Sequence, residues 1–398
     1  MHERSRGFRV TRAGWLLAGL AAPWITSAGP PALGTNAELE MQGLFETVTP
    51  LLPLAMDEAA WSARARRDSI EEGLDNLAEA GAALGRHAAT RDAGFQTLSE
   101  SLAEDIARTR DHYAEGQFEE ARVSMVEITN TCAACHTRLP ASPDDSRPAL
   151  PAPLFAGLSL HEQSQVWVAT RRFDRALAVW EAAFADEMQA PGRLDMEGYL
   201  LDYMTIGLRV RQDPVRVRKT FARFAQRPDM PIYLGRHLAR WEIALAAIED
   251  GLETSDPLAQ GRALVGGQGV PRPELLGREQ TVYDLAASSL LLRFIDRNAG
   301  SPEELAEAYY LLGVVEARSV DSYWLPQAEH HLEAAIRLAP GSAPAASAYA
   351  LLEEYVVVGF GGANGDALPN AAFEKLRQLS QLIEASAATP PDDDLAAP

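Results

Sequence analysis

From Asn36 to Leu139 apolar residues recur at three- and four-residue intervals, a period that extended strands cannot use and that commits this stretch to helices packed face to face. It reads as four helices. The first carries Met41, Leu44, Phe45, Val48 and Leu52 on one face, and Pro50 and Pro53 are expected to kink or end it. In the second, Ile70, Leu74, Leu77 and Leu84 share a stripe with Gly81, a small residue that permits a close neighbour, and the helix stops around Gly85-Arg86-His87. A third, with Phe95, Leu98, Leu102, Ile106 and Tyr113, ends at Gly116. The fourth starts at Phe118 and runs through Ala121, Met125 and Ile128 or Thr129 to Cys132, Cys135 and His136, before Pro140 stops it.

The last turn of that helix spells Cys132-Ala133-Ala134-Cys135-His136, the attachment motif of a c-type haem. Two thiols three positions apart can both add to the vinyl groups at one edge of a porphyrin. The following imidazole, His136, then lies under the ring as the proximal axial ligand of the iron. The alternatives are a reducible dithiol and half of a zinc site, but zinc needs two more ligands close by. Cys132 and Cys135 are the only cysteines in the chain.

The N-terminus carries Arg4, Arg6, Arg9 and Arg12, then the apolar run Ala13 to Ala22 and the small residues Ser27, Ala28 and Gly29. This order is that of a secretory signal over residues 1–28, with cleavage near Ala28. The run is short for a bilayer span, and an uncleaved anchor is the alternative. No consecutive arginine pair precedes it, which favours general secretion over the twin-arginine route. Export to the periplasm agrees with the compartment in which haem is joined to this motif. A net charge of -20 argues against nucleic acid as a partner, because such binding releases counterions from a basic surface.

Four helices with the attachment motif near the end of the last one resemble the class II c-type cytochromes, the cytochrome c′ family. The resemblance covers residues 36–139 and rests on this topology and on Asn130 to His136. It implies one haem c per chain, held by Cys132, Cys135 and His136, with a first-helix residue facing the sixth iron position. Met41 there implies a six-coordinate electron carrier, and Phe45, one turn on, implies a site open to nitric oxide or carbon monoxide. His87 and His112 are further candidates. Met125 is expected to pack against the macrocycle, and Arg138 to pair with a propionate or lie exposed. Bundles of this family often form homodimers through their first two helices, a surface that an appended domain can block.

A proline-rich spacer over residues 140–154 follows, then a helical region over 155–385 and an acidic tail over 386–398 expected to be disordered. In the helical region Ala176, Trp180 and Ala183 resemble the second helix of a tetratricopeptide repeat. Between Ala306 and Pro340, Tyr309, Leu312 and Gly313 mark a first helix, and Ala328, Leu332 and Ala335 a second. Further helices are expected from Pro344 to Val358 and from Ala371 to Glu384. The cluster Arg209, Arg211, Arg216, Arg218, Lys219, Arg223 and Arg227 reads as a solvated face or as a docking surface for an acidic partner or the chain's other domain. The segment Gly359 to Asp366 lacks the residues of a phosphate or calcium loop.

The chain is therefore expected to be all-α, a four-helix-bundle c-type cytochrome domain followed by a tetratricopeptide-like domain. One-electron transfer in the periplasm is the expected work, with the repeat domain docking a redox partner. The alternatives are a five-coordinate gas-binding haem protein and a haem-containing assembly scaffold. No Ser-His-Asp, HExxH or paired-carboxylate arrangement points to an enzyme.

Overall fold

The computed structural model describes residues 35–387 except 89–92, 138–149, 151–154, 156, 250–251, 253, 267–277, 298–299, 319–327, 361–367 and 369. The described residues are helical and contain no strand. Residues 1–34, where the secretory signal is expected, most of the proline-rich spacer, Arg138, the side chain of His87, residues 361–367 of the glycine-rich loop and the tail beyond Ala387 lie outside them.

Helices α1 (Thr35–Met56), α3 (Arg67–Ala88), α4 (Ala93–Ala114) and α5 (Phe118–His136) surround one apolar core. The expected stripes supply it. Leu44, Leu52, Ile70, Leu74, Leu77, Leu84, Leu98, Leu102, Ile106, Tyr113, Ala121, Met125 and Ile128 are all buried. Gly81 does what its size suggested, for a Cβ there would lie 2.8 Å from the Ile106 side chain of α4. The prolines do not end the helix, because α1 continues through both Pro50 and Pro53 to Met56. Each proline costs a helix about 3 kcal/mol in isolation. Here Leu51, Leu52 and Ala55 are buried on the same stretch, and their packing holds the helical path.

A short helix, α2 (Glu58–Ser62), joins α1 to α3, and the sequence pattern did not signal it. It is pinned by Trp61, which is buried, donates its indole N–H to the Phe118 carbonyl at 2.9 Å and meets Tyr113 edge to face. Asp57 caps its N-terminus by accepting from the Ala60 amide.

Two further helices follow as a pair, α6 (Leu160–Ala169) and α7 (Phe173–Ala185), the first opened by a Ser159/Glu162 capping box. α6 packs against α5, and the two cores exchange residues across this contact: Val166 of α6 is buried in the first core, Ala133 of α5 in the second. Next come α8 (Pro191–Met196) and α9 (Tyr199–Thr205), which runs into a π-helical turn at Ile206–Val210. α10 (Pro214–Phe224) and α11 (Ile232–Ile248) pack on each other around Phe184, Tyr203, Phe221, Phe224 and Trp241.

The remaining helices are α12 (Pro257–Gly266), α13 (Gln280–Arg297), α14 (Pro302–Arg318), α15 (Ala328–Leu338), α16 (Ala343–Phe360) and α17 (Asn370–Ala387). α14 and α15 meet most closely at Gly313, where a Cβ would stand 2.5 Å from Leu332 and 3.5 Å from the Ala328 carbonyl. α15 also reaches back to touch α4.

Asp202 on α9 is buried, and that burial pushes its pKa up to about 8. Between the usual carboxylate range and that value, the folded chain holds a proton that the unfolded chain has released. Stability contributed by this site is therefore present at low pH and lost as pH rises through the window. An Asp202→Asn variant is expected to gain on the parent by up to about 1.4 kcal/mol per pH unit between about pH 5 and 8. Urea unfolding at several pH values checks this; a difference independent of pH contradicts it.

Candidate functional site

The site grows from the last turn of α5. Cys132, Cys135 and His136 are helical, and Thr137 closes the helix by donating its amide to the Ala133 carbonyl and its hydroxyl to the Ala134 carbonyl. The spacing thus places both thiols along one side of a single turn, with the imidazole on the next residue. The two cysteines are not joined in a disulfide and are half-buried, and His136 is buried. Cys132 borders the first core. Desolvation, with Cys135 adding to it, pushes the Cys132 thiol up to about 12. Dithiol oxidoreductases work with lowered thiol pKa values, so the environment of Cys132 is the opposite of theirs.

The distal candidates lie at the same end of this core. The Ala55 carbonyl of α1 accepts from Arg122 of α5 at 3.4 Å, which fixes the level of the two antiparallel helices. Ala55 to Met41 and Arg122 to His136 are each 14 residues, about 21 Å of helix. Met41 and His136 therefore both lie toward the end of the core away from that contact. Met41 is half-buried and packs against the core that Cys132 borders; Phe45, one turn further, is half-buried as well.

His112 is at the wrong end. Its carbonyl accepts from the Gln117 amide at the turn between α4 and α5, so the length of α5, about 27 Å, separates it from His136. Met125 is buried in the core two turns below Cys132.

Asp105 of α4 accepts from the Thr131 hydroxyl at 3.3 Å, directly beside Cys132, and pairs with Arg108 at 2.7 Å. Burial raises its pKa, with Arg108 acting in the opposite direction. No local pattern signals this contact, since the residues are 26 positions apart. The covering of α5 by α6 goes unsignalled for the same reason.

Most of the arginine cluster is paired within the chain rather than simply solvated. Arg209 pairs with Glu316, Arg211 and Arg216 with Asp174, Arg216 also with Glu181, Arg218 with Glu249, and Arg227 with Asp229. Lys219 and Arg223 alone of the cluster are exposed. Most of this charge is spent inside the chain.

The donor set on α5 fits a c-type haem. Two thiols on one helical side suit the two vinyl positions, and the adjoining buried imidazole could bind the iron. Among the described residues no group of three or more His, Cys, Asp or Glu side chains gathers as a metal site, and no helix is long and apolar enough to cross a membrane. No protein-family model, curated protein or solved structure matches the chain.

Proposed function

We propose that this chain is an exported, single-haem c-type cytochrome of the class II kind, a four-helix-bundle haem domain joined to a tetratricopeptide-like domain, and that it carries electrons in the periplasm. The observation that carries the reading is the last turn of α5, where Cys132 and Cys135, not joined in a disulfide, are followed on the helix by His136. A haem bound there supplies one-electron chemistry. Cys132 and Cys135 would hold it covalently and His136 would bind its iron, with Met41 the candidate for a second protein ligand. The small residue Ala133, buried against the second core, anchors the haem-bearing turn to the rest of the chain.

The helix pair α14 and α15, closed on Gly313, supports a repeat-like domain, and such a domain serves as a holder for a redox partner. The haem content of protein made in a host with haem-attachment machinery tests the reading. One haem per chain that survives acid–acetone extraction is expected; a chain that yields no haem, or releases it to the solvent, overturns it.

A further inference from the structure

Asp105 of α4 meets the end of α5 beside the attachment motif. Its Oδ2 accepts from the Thr131 hydroxyl at 3.3 Å, and its Oδ1 pairs with Arg108 at 2.7 Å. Thr131 stands one residue before Cys132 and four before Cys135. At about 100° per residue it lies about 40° from Cys135 around the helix, and Cys135 falls between it and Cys132. The carboxylate therefore borders the side of α5 that carries the thiols.

Asp105 differs from its acidic neighbours. Glu100 and Glu104 on α4 and Glu127 on α5 are exposed, whereas the Asp105 side chain is 23% exposed. A charge held partly out of water is screened less by solvent and salt than an exposed one. Arg108 favours the ionised carboxyl, with burial acting against it. Bonds to both carboxylate oxygens hold this charge in place.

We propose that the Asp105 carboxylate lowers the reduction potential of a haem carried by the adjacent turn. This role rests on the haem-binding reading. Reduction adds one electron to the iron and neither forms nor breaks a bond to Asp105. A negative charge held nearby favours the oxidised iron and opposes that addition. Asp105 is thus a positioning residue, acting through its charge and touching Thr131 instead of the reacting atoms.

The test uses the full chain made in a host with haem-attachment machinery. Covalent haem is measured first, as the pyridine haemochrome, and the potential next, by spectroelectrochemical titration. Asp105→Asn keeps an oxygen acceptor for Thr131 and removes the charge. It is expected to retain full haem and to shift the iron equilibrium toward the reduced state about three- to tenfold, a rise of about 30–60 mV for one electron. Asp105→Glu, which restores the charge, should bring the potential back toward the parent. Thr131→Val breaks the hydrogen bond and keeps the charge, so its shift should be smaller than that of Asp105→Asn. Arg108→Gln, at a position 54% exposed, removes the opposing cation and should lower the potential, a readout that stands even where an Asp105 variant misfolds. A potential that Asp105→Asn leaves unchanged or lowers, or that Arg108→Gln raises, overturns the proposal and leaves the haem reading intact. A Thr131→Val shift as large as that of Asp105→Asn also overturns it, assigning the effect to the hydrogen bond. A parent chain without covalent haem overturns both.

Discussion

Replacing Cys132 and Cys135 together with alanine is expected to abolish covalent haem and leave the helical fold in place. Both thiols are half-buried rather than central to the core, so truncating them removes little packing. Losing both thioether positions, in contrast, removes every covalent tie to the porphyrin. Haem staining after denaturing electrophoresis should fall from full to nil, while far-ultraviolet circular dichroism stays that of an all-helical protein. A variant that keeps covalent haem contradicts the attachment site. One that fails to fold makes the haem a structural element of assembly instead of an electron carrier.

The second large effect lies far from that motif. Arg209, Glu316 and His331 form a buried charged group joining the π-helical turn to α14 and α15. One Glu316 carboxylate oxygen, Oε1, lies 3.2 Å from the Arg209 guanidinium and 3.2 Å from His331 Nε2. All three side chains are at most 1% exposed. Truncating one member of such a group leaves an uncompensated buried charge, and Glu316→Ala is expected to cost about 3–5 kcal/mol. A combined Arg209→Met, Glu316→Leu variant should recover much of that loss, since the desolvation of both ions disappears with them. Urea unfolding measures both. A Glu316→Ala cost below about 1 kcal/mol, the range of exposed pairs, contradicts the account.

Local periodicity made the first core legible. The stripe Ile70, Leu74, Leu77 and Leu84 and the close approach at Gly81 follow from spacing and size, and the thiols and imidazole follow from a five-residue motif. What stayed hidden depends on residues distant in sequence. Arg209 and Glu316 are 107 positions apart and Arg211 and Asp174 are 37, so a run that looks like free cationic surface is neutralised by partners no local window contains. Trp61 gives α2 its reason to exist through Phe118, 57 residues on. Pro50 and Pro53 misled in the other direction, since a local rule against helix was outweighed by the burial of Leu51, Leu52 and Ala55. Met41 was nameable from its face alone, but its place toward the same end of the core as His136 required the Arg122 contact to Ala55.

The most direct test of the electron-carrier account is the visible spectrum of the dithionite-reduced protein before and after carbon monoxide is added. With Met41 on the sixth iron position, a low-spin spectrum with a sharp α band that carbon monoxide leaves unchanged is expected, and Met41→Ala should make it respond. A high-spin spectrum in the parent protein that carbon monoxide shifts strongly would contradict the account and place an open site beneath Phe45.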